Sequence, residues 1–505
     1  MSEVVLHTCV DYKRSSTLVA LSVIRECCCN ALNILDRFHI VAKMNDALND
    51  VRAAESRQLV AGGYDRNMIS NTIASPIRTI LRHKSLFLLS TSLAGWIPCA
   101  QAAELRVASW NLGWHVSQAE IPNWIAQCSK AYQKDSSDGV WKPTVSGGTV
   151  GWLIKESRAK LQGVDLAVMP PCGVYQDNRF QGLAVTPKAL ATRSRQISDI
   201  IAKSVQPDVI AFQEVSGTQA VMEALGEHAG EYRVCSHDTK FKIQRLAFAW
   251  KKEFGEPAEA CATIDALALP ALPVAQQVRP GYQVGLRING KLIRFMTVHL
   301  KSGCVSPLDR GVLDRNSRKD DPCPVLQQQV QPLEHALEKL GSGNTSFVLI
   351  GDVNRNLWHE ANEVTGAKSL RSDGSTDLTK TRNPEVLTQN LFKEINDGVP
   401  PSSKATLLEL ACPGDKAMQA LCMRSKIESV PRKELGPLAS KDGLGCRNPV
   451  ALDQILVSDD LAPKVREARK IAIGRYGRSL GPTESKPDPL LAVSDHCPSL
   501  VMLDL

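Results

Sequence analysis

FVLIGDVN (347–354) and AVSDHCPSLVMLDL (492–505) decide the reading of this chain. In the first, Phe347 to Ile350 is a short apolar run of the kind that forms a buried strand, and it delivers Asp352 and Asn354. In the second, Ala492–Val493 runs into Ser494-Asp495-His496, and Leu500–Leu505 supplies a last strand. Working outward, the arrangement recurs. Leu105–Trp110 delivers Asn111, Asp208–Phe212 delivers Gln213 and Glu214, Leu292–Val298 delivers His299, and Leu452–Val457 contains Asp453. One polar residue at a strand end is unremarkable, but eight at the ends of successive core strands are not. Burying them together costs several kcal/mol per unpaired charge. A divalent cation with an anionic substrate resolves that cost, and oxygen-rich ligands select a hard ion such as Mg2+ or Mn2+.

Asn289-Gly290, between Val284–Ile288 and Leu292–Val298, predicts a type I′ hairpin. Helical periodicity covers Pro187–Ser204 and Leu326–Leu340, each just before a strand. Strands and helices therefore mix, as expected for two packed sheets with helices outside in a single domain over 103–505. Low-hydrophobicity stretches near 129–186, 303–323 and 355–450 read as insertions without a core pattern of their own, with room for a small lid within 355–450.

The 505 residues carry 43% hydrophobic and 22% charged side chains, which excludes a disordered chain, a collagen-like fibre and a multispanning membrane protein. The net charge of +7 permits a polyanionic partner without requiring one. From Met68, a basic stretch with Arg78, Arg82 and Lys84 precedes the apolar run Leu86–Ile97 and the small-residue site Ala100-Gln101-Ala102. That pattern reads as a signal peptide over 68–102, too short in its apolar part to span a bilayer. Residues 1–67 then read as a non-native or disordered extension, with translation starting at Met68. The expected location is periplasmic or extracellular. Ten cysteines follow residue 102, an even number that suggests disulfides, with Cys304–Cys323 and Cys412–Cys422 as nearest-neighbour pairs. No C-x-x-C occurs among them, which argues against zinc.

The ordered series SWNL (109–112), FQEV (212–215), VHLKS (298–302), IGDVN (350–354), LDQILV (452–457) and SDHCPSL (494–500) resembles the endonuclease/exonuclease/phosphatase superfamily, the deoxyribonuclease I-like and exonuclease III-like proteins. The resemblance implies an α/β four-layer sandwich with two central mixed β-sheets flanked by helices. By matching position, it implies metal ligation by Glu214, Asn111 and Asp495. Asp352 and Asn354 position the attacking water and the phosphate. It likewise implies His496 as the catalytic histidine, oriented by Asp453, and His299 as a second histidine that donates to a phosphate oxygen or protonates the leaving group. Where the pancreatic deoxyribonuclease branch pairs that second histidine with a glutamate, this sequence has Gln244, which cannot favour imidazolium as a carboxylate does. That departure shifts weight from a double-histidine scheme to a metal-centred one. Lys301 and Arg355 adjoin motif residues and are candidate substrate contacts.

Blander readings cover the rest. His115, His228, His237, His335 and His359 lie outside the motifs and read as surface or loop residues. Trp110 and Trp114 read as core, and Arg310–Lys319, with its interleaved acids, reads as a solvated loop. The expected activity is that of a monomeric, metal-dependent nuclease with nucleic acid as substrate. A phosphatase or phospholipid-type phosphodiesterase is the alternative, because the scaffold does not fix the substrate. A catalytically silent binding protein is disfavoured because none of the eight site positions is substituted.

Overall fold

Asn289 and Gly290 both have positive φ, 51° and 80°, the backbone of a type I′ turn, and Ile288 faces Lys291 across the hairpin. Around this hairpin the computed structural model describes residues 104–505 except 155–159, 176–184, 238–241, 306–321, 363–368, 371–375, 378–389 and 478–489. The extension at 1–67, the signal segment and the Arg310–Lys319 loop lie outside the described residues.

In chain order the strands are β1 (Glu104–His115), β2 (Ala131–Lys134), β3 (Trp141–Pro143), β4 (Thr149–Val150), β5 (Val209–Val215), β6 (Tyr232–Ser236), β7 (Arg245–Lys251), β8 (Glu259–Ile264) and β9 (Gly281–Ile288). There follow β10 (Lys291–His299), β11 (Ser346–Asp352), the short ribbon β12 (Ser369–Leu370) and β13 (Thr376–Asp377), then β14 (Ala405–Leu407), β15 (Asp453–Ser458), β16 (Val465–Lys470) and β17 (Ser499–Asp504). The α-helices are α1 (Ile121–Cys128), α2 (Pro187–Ile200), α3 (Thr218–Leu225), α4 (Cys323–Leu340), α5 (Leu357–Ala361), α6 (Leu391–Ile395), α7 (Lys416–Ile427) and α8 (Arg432–Ala439).

Two six-stranded sheets form the centre, ordered β16-β17-β1-β5-β7-β6 and β14-β15-β11-β10-β9-β8. Each is mixed: β1 and β5 are parallel, as are β10 and β11, and the other pairings are antiparallel. Strands buried on both faces read as continuous apolar runs, which is why DVIAF and FVLI were legible. The inner faces meet through Val107, Ala211, Phe248, Val284, Phe295, Val348, Ile455 and Val501. Helices α2 and α3 pack on the outer face of the first sheet, and α4 with α6 on that of the second. The result is the expected four-layer sandwich.

Several elements differ from expectation. The predicted helix 187–204 ends its regular part at Ile200 and closes through a wider turn, Ile201–Val205, with Gln206 left-handed at its end. Ala492–Val493 forms no strand, although both residues are buried. The 129–186 segment does have apolar packing of its own. Trp124, Tyr132, Trp152, Leu161, Met169 and Tyr175 share one cluster beside the ribbon of β2, β3 and β4. Its apolar residues are spaced too irregularly to show a period. The 355–450 stretch brings Val430, Leu435 and Leu438 into the core cluster of α2 and α3.

All ten cysteines beyond residue 102 pair, as Cys128–Cys172, Cys235–Cys261, Cys304–Cys323, Cys412–Cys422 and Cys446–Cys497. The two nearest-neighbour pairs read from the sequence are among them. Among the described residues no helix is long and apolar enough to cross a membrane.

Candidate active site

Strand register assembles the site. His299, Asp352 and Asp453 stand side by side at the ends of β10, β11 and β15, with His299 opposite Asp352 and Asp352 opposite Asp453. From the facing sheet come Asn111 on β1 and Glu214 on β5, both at register shifts. Such irregularities re-aim side chains. Glu214 and its neighbour Trp114 have φ of 58° and 63°, an uncommon conformation away from glycine, and Asn354 has 55°.

Asn111, Asp352, His299 and His496 converge. Asn111 Nδ2 donates to Asp352 Oδ2 at 3.0 Å and approaches Glu214 Oε1 at 3.5 Å, while its Oδ1 accepts from the Gly113 amide. Glu214 Oε2 accepts from the Trp114 amide at 3.1 Å. His299 Nε2 lies 3.6 Å from Glu214 and 3.5 Å from Asp352, and His496 Nε2 lies 3.8 Å from Asp352. Asp352 Oδ1 accepts the Asn354 amide, and Asn354 Nδ2 donates to Leu300 O, which fixes the turn after β11. Asp495 is brought alongside by Ser494, whose hydroxyl donates to Asn111 O at 2.6 Å. A Cβ on Gly113 would lie 3.3 Å from Asp495 Oδ1, so Asp495 and Glu214 flank the same bend of β1.

His496 is gripped from behind. Its Nδ1 lies 3.0 Å from Asp453 Oδ2, and Lys470 Nζ reaches the same oxygen at 3.2 Å, with Lys470 and Asp453 both buried. Burial opposes a charged His496, but the Asp453 and Asp352 carboxylates outweigh it and raise its pKa to about 10. Burial also works against an ionised Asp453, yet the His496 and Lys470 charges hold its pKa below the usual value. Asp352 moves the other way: burial, opposed by His496 but aided by Asp453 and Glu214, raises it to about 7. His299 is pushed well below its ordinary value by burial, then by the Arg279 charge. No partner meets His299 Nδ1 among the described residues, in keeping with a glutamine in place of the expected glutamate.

Gln244 instead orients an arginine. Its Oε1 accepts from Arg279 Nη2, and the guanidinium faces the Glu214 and Asp352 charges with its Nε unpartnered. Sequence reading missed Arg279, which precedes β9 in VRPGY and carries no strand-end pattern. It also missed Asn448, whose carboxamide contacts His496 Nε2 at 3.2 Å and Asp495 Oδ2 at 3.5 Å. Arg193 on α2 was missed too. Only 1% exposed, it donates to Leu112, Gly113, Ala492 and Val493 carbonyls and so pins the segment before Asp495 onto β1.

Arg355 does not join the site. It is fully buried, with its guanidinium on Glu360 and on Cys304, which leaves no face for substrate. Lys301 turns its ammonium onto Ser302 O, although its charge reaches His299. His115, His237 and His359 are buried rather than exposed, on Ala220 O, the Leu246 amide and Ser425 O respectively. Their apolar surroundings come from distant segments, which single-sequence context does not reveal. Trp110 is core, as expected, with its indole on His496 O.

The donors suit a hard cation. Glu214, Asp352 and Asp495 offer carboxylate oxygens, with Asn111 beside them bearing its Oδ1 on the Gly113 amide. The bonds from Asn111 and Trp114 leave lone pairs on both Glu214 oxygens. Asp352, Asp453 and His496 each bring one potential ligand atom within 4.8 Å of the others. Asp453 there is already satisfied by His496 and Lys470, so Glu214 keeps more acceptor capacity than Asp453.

Carboxylates, imidazoles and an arginine gathered at one end of paired mixed sheets define a phosphoester hydrolase. The chain belongs to the endonuclease/exonuclease/phosphatase family, whose model matches residues 179–496. Members of this family use divalent metals. A transposase family model matches residues 17–88, outside the described residues. None of the curated proteins matches the chain. Similar solved structures include the human Nocturnin catalytic domain with bound sulfate, at 12% identity over 79% of this chain and 93% of that one, with a TM-score of 0.35. Truncated Caenorhabditis elegans TDP2 is 12% identical over 80% and 98%, with a TM-score of 0.36. A Bacteroides vulgatus protein of the same family is 14% identical over 62% and 90%, with a TM-score of 0.33.

Proposed function

We propose that the chain is an exported, Mg2+- or Mn2+-dependent nuclease that hydrolyses phosphodiester bonds of DNA or RNA. The observation that carries this reading is Asp352, held between His299 and His496 with the partly unpartnered Arg279 guanidinium facing it. In-line hydrolysis needs an acceptor for water's proton, a donor for the leaving oxygen and positive charge around the phosphate.

Asp352, with its pKa near neutrality, takes the proton from water. His496, kept protonated by Asp453, supplies a proton or a charged hydrogen bond to the departing oxygen. Neutral His299, the Asn354 amide group and Arg279 hold the phosphate oxygens. Glu214, Asp495 and Asn111 would hold the metal, which when bound offsets charge developing on the phosphate. The mildly basic net charge is compatible with a polyanionic substrate. The signal-like 68–102 segment and five disulfides support export to the periplasm or beyond.

A substrate panel on purified protein tests this: plasmid DNA, RNA, a chromogenic phosphodiester, a phosphomonoester and sphingomyelin, each with and without chelator. The expected result is chelator-sensitive cleavage of DNA or RNA. Activity unchanged by chelator removes the metal. A cleaved lipid or monoester beside intact nucleic acid removes the nuclease.

A further inference from the structure

Next to Lys470, the lysine that bonds Asp453, lies a small cavity lined by Trp358, Leu410, Lys426, Val450, Gln454 and Lys470, with room for one water-sized particle. Its charge is unbalanced. Lys470 is 1% exposed and shares Asp453 with His496. Lys426 is 4% exposed and comes from α7, in a segment the motifs do not touch. Its ammonium donates to Leu410 O at 2.6 Å and lies 5.9 Å from the Trp358 ring centre. These are a carbonyl and a π-face, not a counter-charge. Among the described residues, Glu409 is the carboxylate whose charge is felt at Lys426, and it is exposed.

Beside the cavity two ammonium groups, Lys426 and Lys470, therefore have one buried carboxylate, Asp453, and that one is shared with His496, which also faces Asp352. A buried cation without a counter-ion costs several kcal/mol. A water molecule would satisfy the spare N–H donors but would leave the charge. A monovalent anion would answer both. Burial also pulls the Lys426 pKa down to about 8, as expected for an ammonium that lacks a partner of opposite sign.

We propose that this cavity is a binding site for a small monoatomic anion of the halide class, chloride in physiological media, held between Lys426 and Lys470. Polyatomic anions such as sulfate exceed the space. None of the residues proposed above to hold the phosphate lines this cavity. The anion would keep Lys470 engaged with Asp453 at one end and with the cavity at the other.

Bromide provides the probe. Crystals of the protein soaked in sodium bromide, with data collected at the bromine absorption edge, should show an anomalous peak in the cavity. Lys426→Met, close in shape and uncharged, should lose it. In solution, the thermal midpoint should rise by a few degrees as sodium chloride replaces sodium gluconate at constant ionic strength, and this rise should vanish in Lys426→Met. A cavity with density but no anomalous signal holds water, and the proposal falls. It falls equally if the peak survives in Lys426→Met. If that variant does not fold, the wild-type bromide map decides alone. Neither readout depends on catalysis, so a failed nuclease assignment leaves the test intact.

Discussion

The Asn448 carboxamide lies 3.2 Å from His496 Nε2. Because a protonated imidazole donates there, the carboxamide must turn its oxygen, otherwise without a partner among the described residues, to Nε2–H. The ring is then held at both nitrogens, the other by Asp453. The contact is built into the backbone. The Asn448 amide donates to Asp495 O, and Cys446 and Cys497 bridge the two segments on either side of it. Asn448→Ala removes one end of the grip without touching the fold's core. We expect kcat to drop roughly tenfold with KM little changed, the scale of one hydrogen bond to a charged group. Steady-state kinetics with an unchanged circular dichroism spectrum checks this. A KM effect alone would assign Asn448 to substrate binding.

Asp453 holds the opposite end. His496→Ala should cost at least about 100-fold in rate, the usual worth of a general acid–base group. Asp453→Asn should approach the same loss, because a carboxamide cannot hold the imidazolium as a carboxylate does. The double variant should be little worse than either single one if the two act as a unit. Kinetics on the four proteins measures this, and losses that multiply would contradict it.

Arg279 faces the site with an unpartnered Nε. Arg279→Met should lower kcat/KM by about 10- to 100-fold, on the scale of a charged hydrogen bond. Arg279→Lys should recover little, since an ammonium lacks the planar fork. Gln244→Leu, which leaves Arg279 in place but unoriented, should have a smaller effect. Initial rates over a range of substrate concentration separate these outcomes.

His115 predicts a pH effect on stability. Burial, then the Arg193 charge, lowers its pKa to about 3. The unfolded chain takes a proton there below about pH 6.5 while the folded chain refuses it until about 3. Its contribution is therefore constant above 6.5 and is lost as pH falls towards 3. Asp352, with its raised pKa, works in the opposite sense between about 7 and 3.8, so the total slope is not diagnostic. The difference between wild type and His115→Gln is. Wild type should lose about 2 kcal/mol relative to the variant between pH 6.5 and 5, read from urea unfolding at each pH.

Reading the chain alone recovered the site's floor because its residues lie in or just after short apolar runs, and a buried strand is a local apolar run. Asp352 and Asn354 follow FVLIG, and Glu214 follows VIAFQ. Its walls were not legible. Asn448 sits in the loop GCRNPV, Lys470 ends a polar edge strand and Arg193 lies on a helix. Nothing within a few residues of any of them marks burial. Arg355, beside a motif, went the other way and turned into the core onto Glu360.

Sequence by itself determined the alternation of strands and helices, the Asn289-Gly290 hairpin and the eight polar residues that accompany the apolar runs. Those follow from nearest-neighbour chemistry: side-chain apolarity, turn preference and period. Only the tertiary structure decided which nitrogen of His496 meets which partner, that Gln244 orients Arg279, and that Lys426 and Lys470 share a cavity. These depend on desolvation and on contacts between segments far apart in the chain, which set the charge on each group.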